Sequence, residues 1–201
     1  PYFARVESML GMARADRRYI GGVARVIARG ADAMGYDHQP LARNAPDCDG
    51  QGMCCYGCPT GAKRSTDVSY VPAALSRGAQ LMTGARVSRV DIVAGRARGV
   101  TATLSSGATL KVKADAVIVA GGALMTPLLL ARSKACQTSG WLGRNLSVHP
   151  ASGMLAEFDE IIDMGSSIPQ SYAIETFDEE GLMFEGSSLP PDITALNMPW
   201  T

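Results

Sequence analysis

Four of the five cysteines in the chain stand close together: Cys48, Cys54, Cys55 and Cys58, the last followed by Pro59. Clustered thiols support several chemistries. Thiolates hold an iron–sulfur cluster or another metal, a Cys-x-x-Cys pair such as Cys55 and Cys58 can cycle as a redox disulfide, and a disulfide can staple a long loop. A further reading leaves the thiols unligated. Side chains of adjacent residues do not easily face one metal, so at most three of the four are expected as ligands. Cys136 reads as a lone thiol at a helix end.

A second candidate is Val117-Ile118-Val119-Ala120-Gly121-Gly122. Glycine after a buried strand lets backbone approach a ligand closely, and a following helix offers unpaired N–H groups to an anion. The bland alternative is a tight strand-to-helix turn with no ligand. The G-x-G-x-x-G phosphate fingerprint is absent: Gly50-Gln51-Gly52 lacks its third glycine and follows a polar loop. Histidine is scarce. His38 is expected to be solvated, and His149, before Pro150, reads as structural rather than catalytic. No G-x-S-x-G, H-E-x-x-H or P-loop is present. The acidic runs Glu157, Asp159, Glu160 and Asp178, Glu179, Glu180 look like solvated turns.

These residues need elements to place them. Ile20, Val23, Ile27 and Met34 predict a helix over 16–35, closed by Gly35. Residues 39–64 form a long loop carrying the cysteines, and a short helix capped by Ser65 or Thr66 runs to Gly78. A short strand is expected at 80–83. Runs at 86–93, 97–104 and 108–113, separated by Gly-containing turns, predict a three-stranded antiparallel meander. The continuous apolar run 116–120 predicts a strand buried on both faces, as in a parallel sheet, followed by a helix over 123–133. Beyond an irregular 141–150, strand-like runs recur at 154–158, 171–176 and 182–184. A domain boundary is expected near Pro150.

Composition narrows the classes. The chain has 201 residues, with Lys+Arg 19 balanced by Asp+Glu 19. Zero net charge argues against a nucleic-acid partner and against a polybasic membrane-surface protein. The longest apolar stretch, 116–131, is broken by Gly121, Gly122, Thr126 and Pro127, short of the ~20 residues a membrane span needs. The chain starts at Pro1 without a methionine or a secretory pattern, which reads as a piece of a longer protein. The cysteine content and missing signal lean toward a cytoplasmic setting.

Four segments in order then resemble one family: Gly57-Cys58-Pro59-Thr60-Gly61-Ala62-Lys63, Gly84-Ala85-Arg86-Val87, Ala120-Gly121-Gly122-Ala123-Leu124-Met125-Thr126-Pro127, and Gly143-Arg144-Asn145-Leu146 with His149-Pro150. Together they look like the middle of a glucose–methanol–choline (GMC) oxidoreductase, nearest its long-chain-alcohol oxidase and bacterial dehydrogenase branches. The resemblance implies an α/β fold. Residues 1–150 would be part of a Rossmann-like FAD/NAD(P)-binding domain with its antiparallel meander. Residues 151–201 would begin an α+β substrate domain. It also implies FAD as cofactor and an alcohol as substrate, long-chain or sterol-like among the candidates. Oxygen or a carrier protein would accept the electrons. Val87 would touch the adenine through its backbone, and Ala120, Gly121 and Gly122 would pass beside the adenosine half. The family's catalytic histidine lies far downstream and matches neither His38 nor His149, so no catalytic residue is assigned and this stretch alone is expected to be inactive. An iron–sulfur cluster is not favoured, because the cysteine spacing departs from that of the cluster-bearing dehydrogenases. A pyridine-nucleotide flavoprotein using Cys55 and Cys58 is disfavoured by their Gly/Pro loop. The non-enzymatic alternative is a metal- or iron–sulfur-stapled binding or electron-transfer module.

Overall fold

The computed structural model describes residues 1–197. In chain order, α1 (Tyr2–Leu10), β1 (Ala13–Arg14), α2 (Gly21–Met34), β2 (His38–Pro40), β3 (Ala42–Arg43) and α3 (Tyr70–Leu75) come first. Then follow β4 (Ala85–Val93), β5 (Arg96–Leu104), β6 (Thr109–Lys113) and α4 (Gly122–Arg132). The last elements are β7 (Tyr172–Ile174), β8 (Phe184–Glu185) and α5 (Pro191–Asn197). The chain is thus mixed α/β. By contact it forms two compact units: residues 80–155, and residues 1–79 together with the described residues from 156 onward. Among the described residues no helix is long and apolar enough to cross a membrane.

In the unit of residues 1–79 and 156 onward, α2 shows the expected helix, though it starts later than its apolar spacing suggests. Asp16 instead caps a 3-10 turn at Arg17–Tyr19, accepting a hydrogen bond from the Arg18 N–H. The buried residues of α2 are small: Gly22, Ala24 and Ala31. Small side chains let the helix approach its neighbours closely. A Cβ on Gly22 would sit 3.2 Å from the Asp163 carbonyl oxygen. Two small antiparallel sheets complete the unit, β1 with β3 and the order β2-β7-β8. The long 39–64 loop therefore contains strand at its start, anchored by the Arg14 guanidinium donating to the Pro40 carbonyl at 2.8 Å. The core around it is built from Ala15, Ile168, Tyr172 and Ala173, with Ser167 and Ser171 buried beside them. Helix α1, absent from the sequence expectations, has no buried residue.

His38 is not solvated as expected. It opens β2, its side chain is 17% exposed, and its ring nitrogens lie 2.9 Å from the Tyr172 hydroxyl and 3.0 Å from Asp32 Oδ1. Pairing of β2 with β7 brings Tyr172 in from far along the chain, while Asp32 lies six residues before His38 on α2.

Residues 80–155 carry the predicted meander, β4-β5-β6, antiparallel throughout. Two register shifts interrupt the β4–β5 pairing. The first, between Val87 and Arg89, puts the extra residue, Ser88, on β4 and explains why the apolar residues of β4 do not alternate cleanly. The second, opposite Asp91 and Ile92, puts the extra residue, Arg98, on β5. Asp91 ties β4 to β5, accepting from Arg89 Nε at 2.7 Å and Thr101 Oγ1 at 2.8 Å.

Three expected strands are not formed. Residues 80–83 and 154–158 are irregular, and so is 116–120, where Ile118 is 92% exposed. A run of this kind becomes a parallel strand only with ladder partners on its edges. Every paired strand among the described residues is antiparallel, and none borders 116–120.

Candidate functional site

The first candidate lies within residues 80–155. The face of β4 and β5, the irregular 117–121 segment and α4 enclose a groove of about 310 Å³. Val87, Val90 and Val100 form its floor, Leu128 and Leu129 face them, and Arg86 and Arg132 add two cations. The register shift after Val87 matters here. In a regular strand Val87 and Val90 would point to opposite faces; with an extra residue between them, both reach the groove. Ser88, the extra residue, donates from its hydroxyl to the Thr101 carbonyl at 3.1 Å.

A side chain at the end of α4 ties the helix to this sheet. Ser133, at the end of α4, accepts the Val90 N–H at 2.8 Å and donates to the Leu129 carbonyl at 2.7 Å. Val90 is 6% exposed, so this bond satisfies backbone under the groove floor. At the other end Gly121 caps α4 with no side-chain hydrogen bond, leaving first-turn N–H groups to attract negative charge. Gly122 has φ 78, a left-handed value that costs any residue with a Cβ.

Of the residues marked in the sequence, Val87, Ala120 and Gly121 line this one groove; Gly122 follows at the turn and is not part of the lining. Ser133 and Arg132 were not foreseen. No local pattern marks Ser133, because its partner lies 43 residues away.

The second candidate lies in the other unit. Cys48, Cys54, Cys55 and Cys58 all line a cavity of about 650 Å³, together with Arg43 and Lys63. Arg43 Nη1 donates to Cys48 Sγ and its Nη2 to Cys54 Sγ, each at 3.8 Å. Cys58 Sγ accepts the Lys63 N–H at 3.4 Å, and that bond holds its thiol below the ordinary range. Tyr56 donates its hydroxyl to both Asp192 oxygens, at 2.6 and 2.7 Å, tying the cysteine loop to α5. Among the described residues no three of His, Cys, Asp and Glu are grouped so that they could hold a metal ion. Arg43 and Asp192, which organise this loop, carried no signal of their own in the sequence. His149 is exposed in an irregular segment.

Comparison with known proteins bears on both sites. The family model described as GMC oxidoreductase matches residues 1–151. A GMC-type oxidoreductase of Mycobacterium tuberculosis strain H37Rv is 38% identical over 194 residues, covering 96% of this chain and 31% of its own length. A GMC-type oxidoreductase of Sinorhizobium fredii is 32% identical, covering 100% of this chain and 40% of its own length. A long-chain-alcohol oxidase of Arabidopsis thaliana is 31% identical over 137 residues, 62% of this chain and 18% of that protein. The chain therefore spans only about a third of the length of the bacterial relatives. With the family model over three quarters of its residues and these relatives over nearly all of them, the chain belongs to the GMC oxidoreductases, a family whose N-terminal domain is the FAD-binding one.

Proposed function

We propose that this chain is a piece of an FAD-dependent enzyme that oxidises the CH–OH group of an alcohol, and that the groove at Val87, Ala120 and Gly121 receives the adenosine half of FAD. The observation carrying this reading is that residues separated by the whole meander line one groove. Its chemistry fits the group. Valine and leucine side chains offer flat apolar contact to a purine, and backbone edges at Val87 and Ala120 offer amide groups for the ring nitrogens. Arg86 and Arg132 and the uncapped start of α4 suit the anionic diphosphate side. Bound FAD supplies hydride-accepting chemistry. This chain's own contribution is to orient and desolvate the adenosine; no residue here is assigned to proton transfer.

Residues 1–150 are read as part of the FAD-binding domain in its Rossmann-like form, and 151–201 as the start of the substrate domain. The end of the family match at residue 151 supports that division. The unpaired run 116–120 is then a central strand whose ladder partners belong to the rest of the parent protein. A long-chain alcohol is the favoured substrate class, supported by the plant relatives named as long-chain-alcohol oxidases. Oxygen or a carrier protein would take the electrons. The test is anaerobic mixing of purified full-length protein with a long-chain alcohol. Bound FAD and bleaching of its absorbance are expected. A flavin-free protein would end the cofactor reading, and a flavin that no alcohol reduces would end the substrate reading.

A further inference from the structure

We propose that Cys48 and Cys54 are a dithiol site that a hydroperoxide closes to a disulfide, with Arg43 as its positioning residue. The observation is one guanidinium on two sulfurs, each 3.8 Å from a different Nη. The group is planar and rigid and both Nη atoms share one carbon, so it presents the two sulfurs along a single edge. The backbone cooperates. Gly50 and Gly52, in the segment between the two cysteines, both stand at positive φ. At Gly52 a Cβ would lie 2.6 Å from the Gly165 carbonyl oxygen, so this position is built for glycine. All five cysteines are free thiols. Cys55 and Cys58 share the cavity but not the guanidinium, and Cys58 is bound instead to the Lys63 N–H. A metal between Cys48 and Cys54 is disfavoured, because a guanidinium cation already bonded to both sulfurs repels a second cation.

Exposure orders the steps. Cys54 is exposed and Cys48 is half-buried, so peroxide meets Cys54 first. The Cys54 sulfur attacks one peroxide oxygen and the O–O bond breaks; with hydrogen peroxide, a sulfenic acid and one water result once the thiol proton reaches the leaving hydroxide. The Cys48 sulfur then attacks the sulfenic sulfur, the S–O bond breaks, the S–S bond forms, and a second water leaves. Two thiols are oxidised and one peroxide is reduced. The site is independent of the flavin reading.

The test is peptide mapping of full-length protein after hydrogen peroxide, with remaining thiols alkylated and digestion done without reductant. A peptide linking Cys48 to Cys54 is expected, and dithiothreitol should restore both thiols. In Cys48→Ser, dimedone should trap Cys54 as the sulfenic acid. In Arg43→Lys, which keeps the charge but loses the fork, closure should slow about tenfold while alkylation of Cys58 keeps its rate. Cys54 linked to Cys55 or Cys58, or Cys48 and Cys54 both still free after peroxide, would overturn the proposal. An unchanged closure rate in Arg43→Lys would remove Arg43 from it. The map of the unsubstituted protein decides the pairing even where a variant does not fold.

Discussion

Tyr56 shows how one contact sets a titration. Its hydroxyl donates to both oxygens of Asp192, and ionising it would place a phenolate against a carboxylate; its pKa is pushed up to about 12. A group raised in the folded state contributes stability that is fully present below its unfolded value and is lost as pH climbs through the folded one. The Tyr56–Asp192 contribution should therefore fade between 10.0 and about 12. Subtracting the ultraviolet titration of Tyr56→Phe from that of the unsubstituted protein isolates this residue. Asp192→Asn should bring its transition down toward an ordinary tyrosine, and a transition already at the ordinary value would remove the contact from the account. Cys58 shifts the other way. Its thiol, lowered first by the Lys63 N–H and then by the Thr60 hydroxyl, should alkylate with iodoacetamide at a lower pH than free glutathione does. Equal pH profiles would contradict this. The Tyr56 contact was not legible in the sequence, since Tyr56 and Asp192 are 136 residues apart.

At the scale of elements, local signals are legible in the sequence and non-local ones are not. The meander and α4 follow from turn glycines and apolar runs, and α2 from its spacing, because those signals act within a few residues. The run 116–120 carries a strong strand pattern, yet a strand needs partners, and no local pattern supplies them. The register shift at Ser88 in β4 is visible in sequence only as broken alternation, and the placement of Val87 beside Val90 depends on it. Ser133 is the clip that turns sheet and helix into a groove. Ser133→Ala would leave the part-buried Val90 N–H unpaired, at a cost of about 1–3 kcal/mol. Urea unfolding should show that loss; Ser76→Ala, which removes only an exposed hydroxyl bond to the Ala73 carbonyl, should show far less. Equal losses would mean that Ser133 does not hold α4. Asp91 binds β4 to β5 with its pKa lowered, by Arg89 first and Thr101 next. A depressed carboxylate stabilises above its unfolded value and loses that contribution as pH falls through the folded one. The stability gap between the unsubstituted protein and Asp91→Asn should thus be widest near neutrality and close in strong acid.

For the whole molecule, the family was legible because four short motifs stand in the right order, and the family match over residues 1–151 includes all four. The rest of the site was not legible: the chain spans about a third of its bacterial relatives, and Arg132 and Ser133, which complete the groove and its clip, belong to no motif. Gly121 offers a test on that scale. A Cβ there would meet Thr126 Oγ1 at 3.3 Å, beside the groove rather than in a packed core. Gly121→Leu in the full-length protein should lower FAD content per chain severalfold while leaving the melting temperature of the flavin-free form nearly unchanged; equal FAD content would separate Gly121 from the cofactor. The central claim, adenosine in the groove at Val87, Ala120 and Gly121, is tested most directly by photolabelling the full-length protein with azido-FAD, the azide on the adenine, and mapping the modified peptide. Label on residues 86–90 or 117–121, suppressed by excess FAD, is the result predicted. Suppressible label elsewhere in the protein, with both of these segments unmodified, would contradict it.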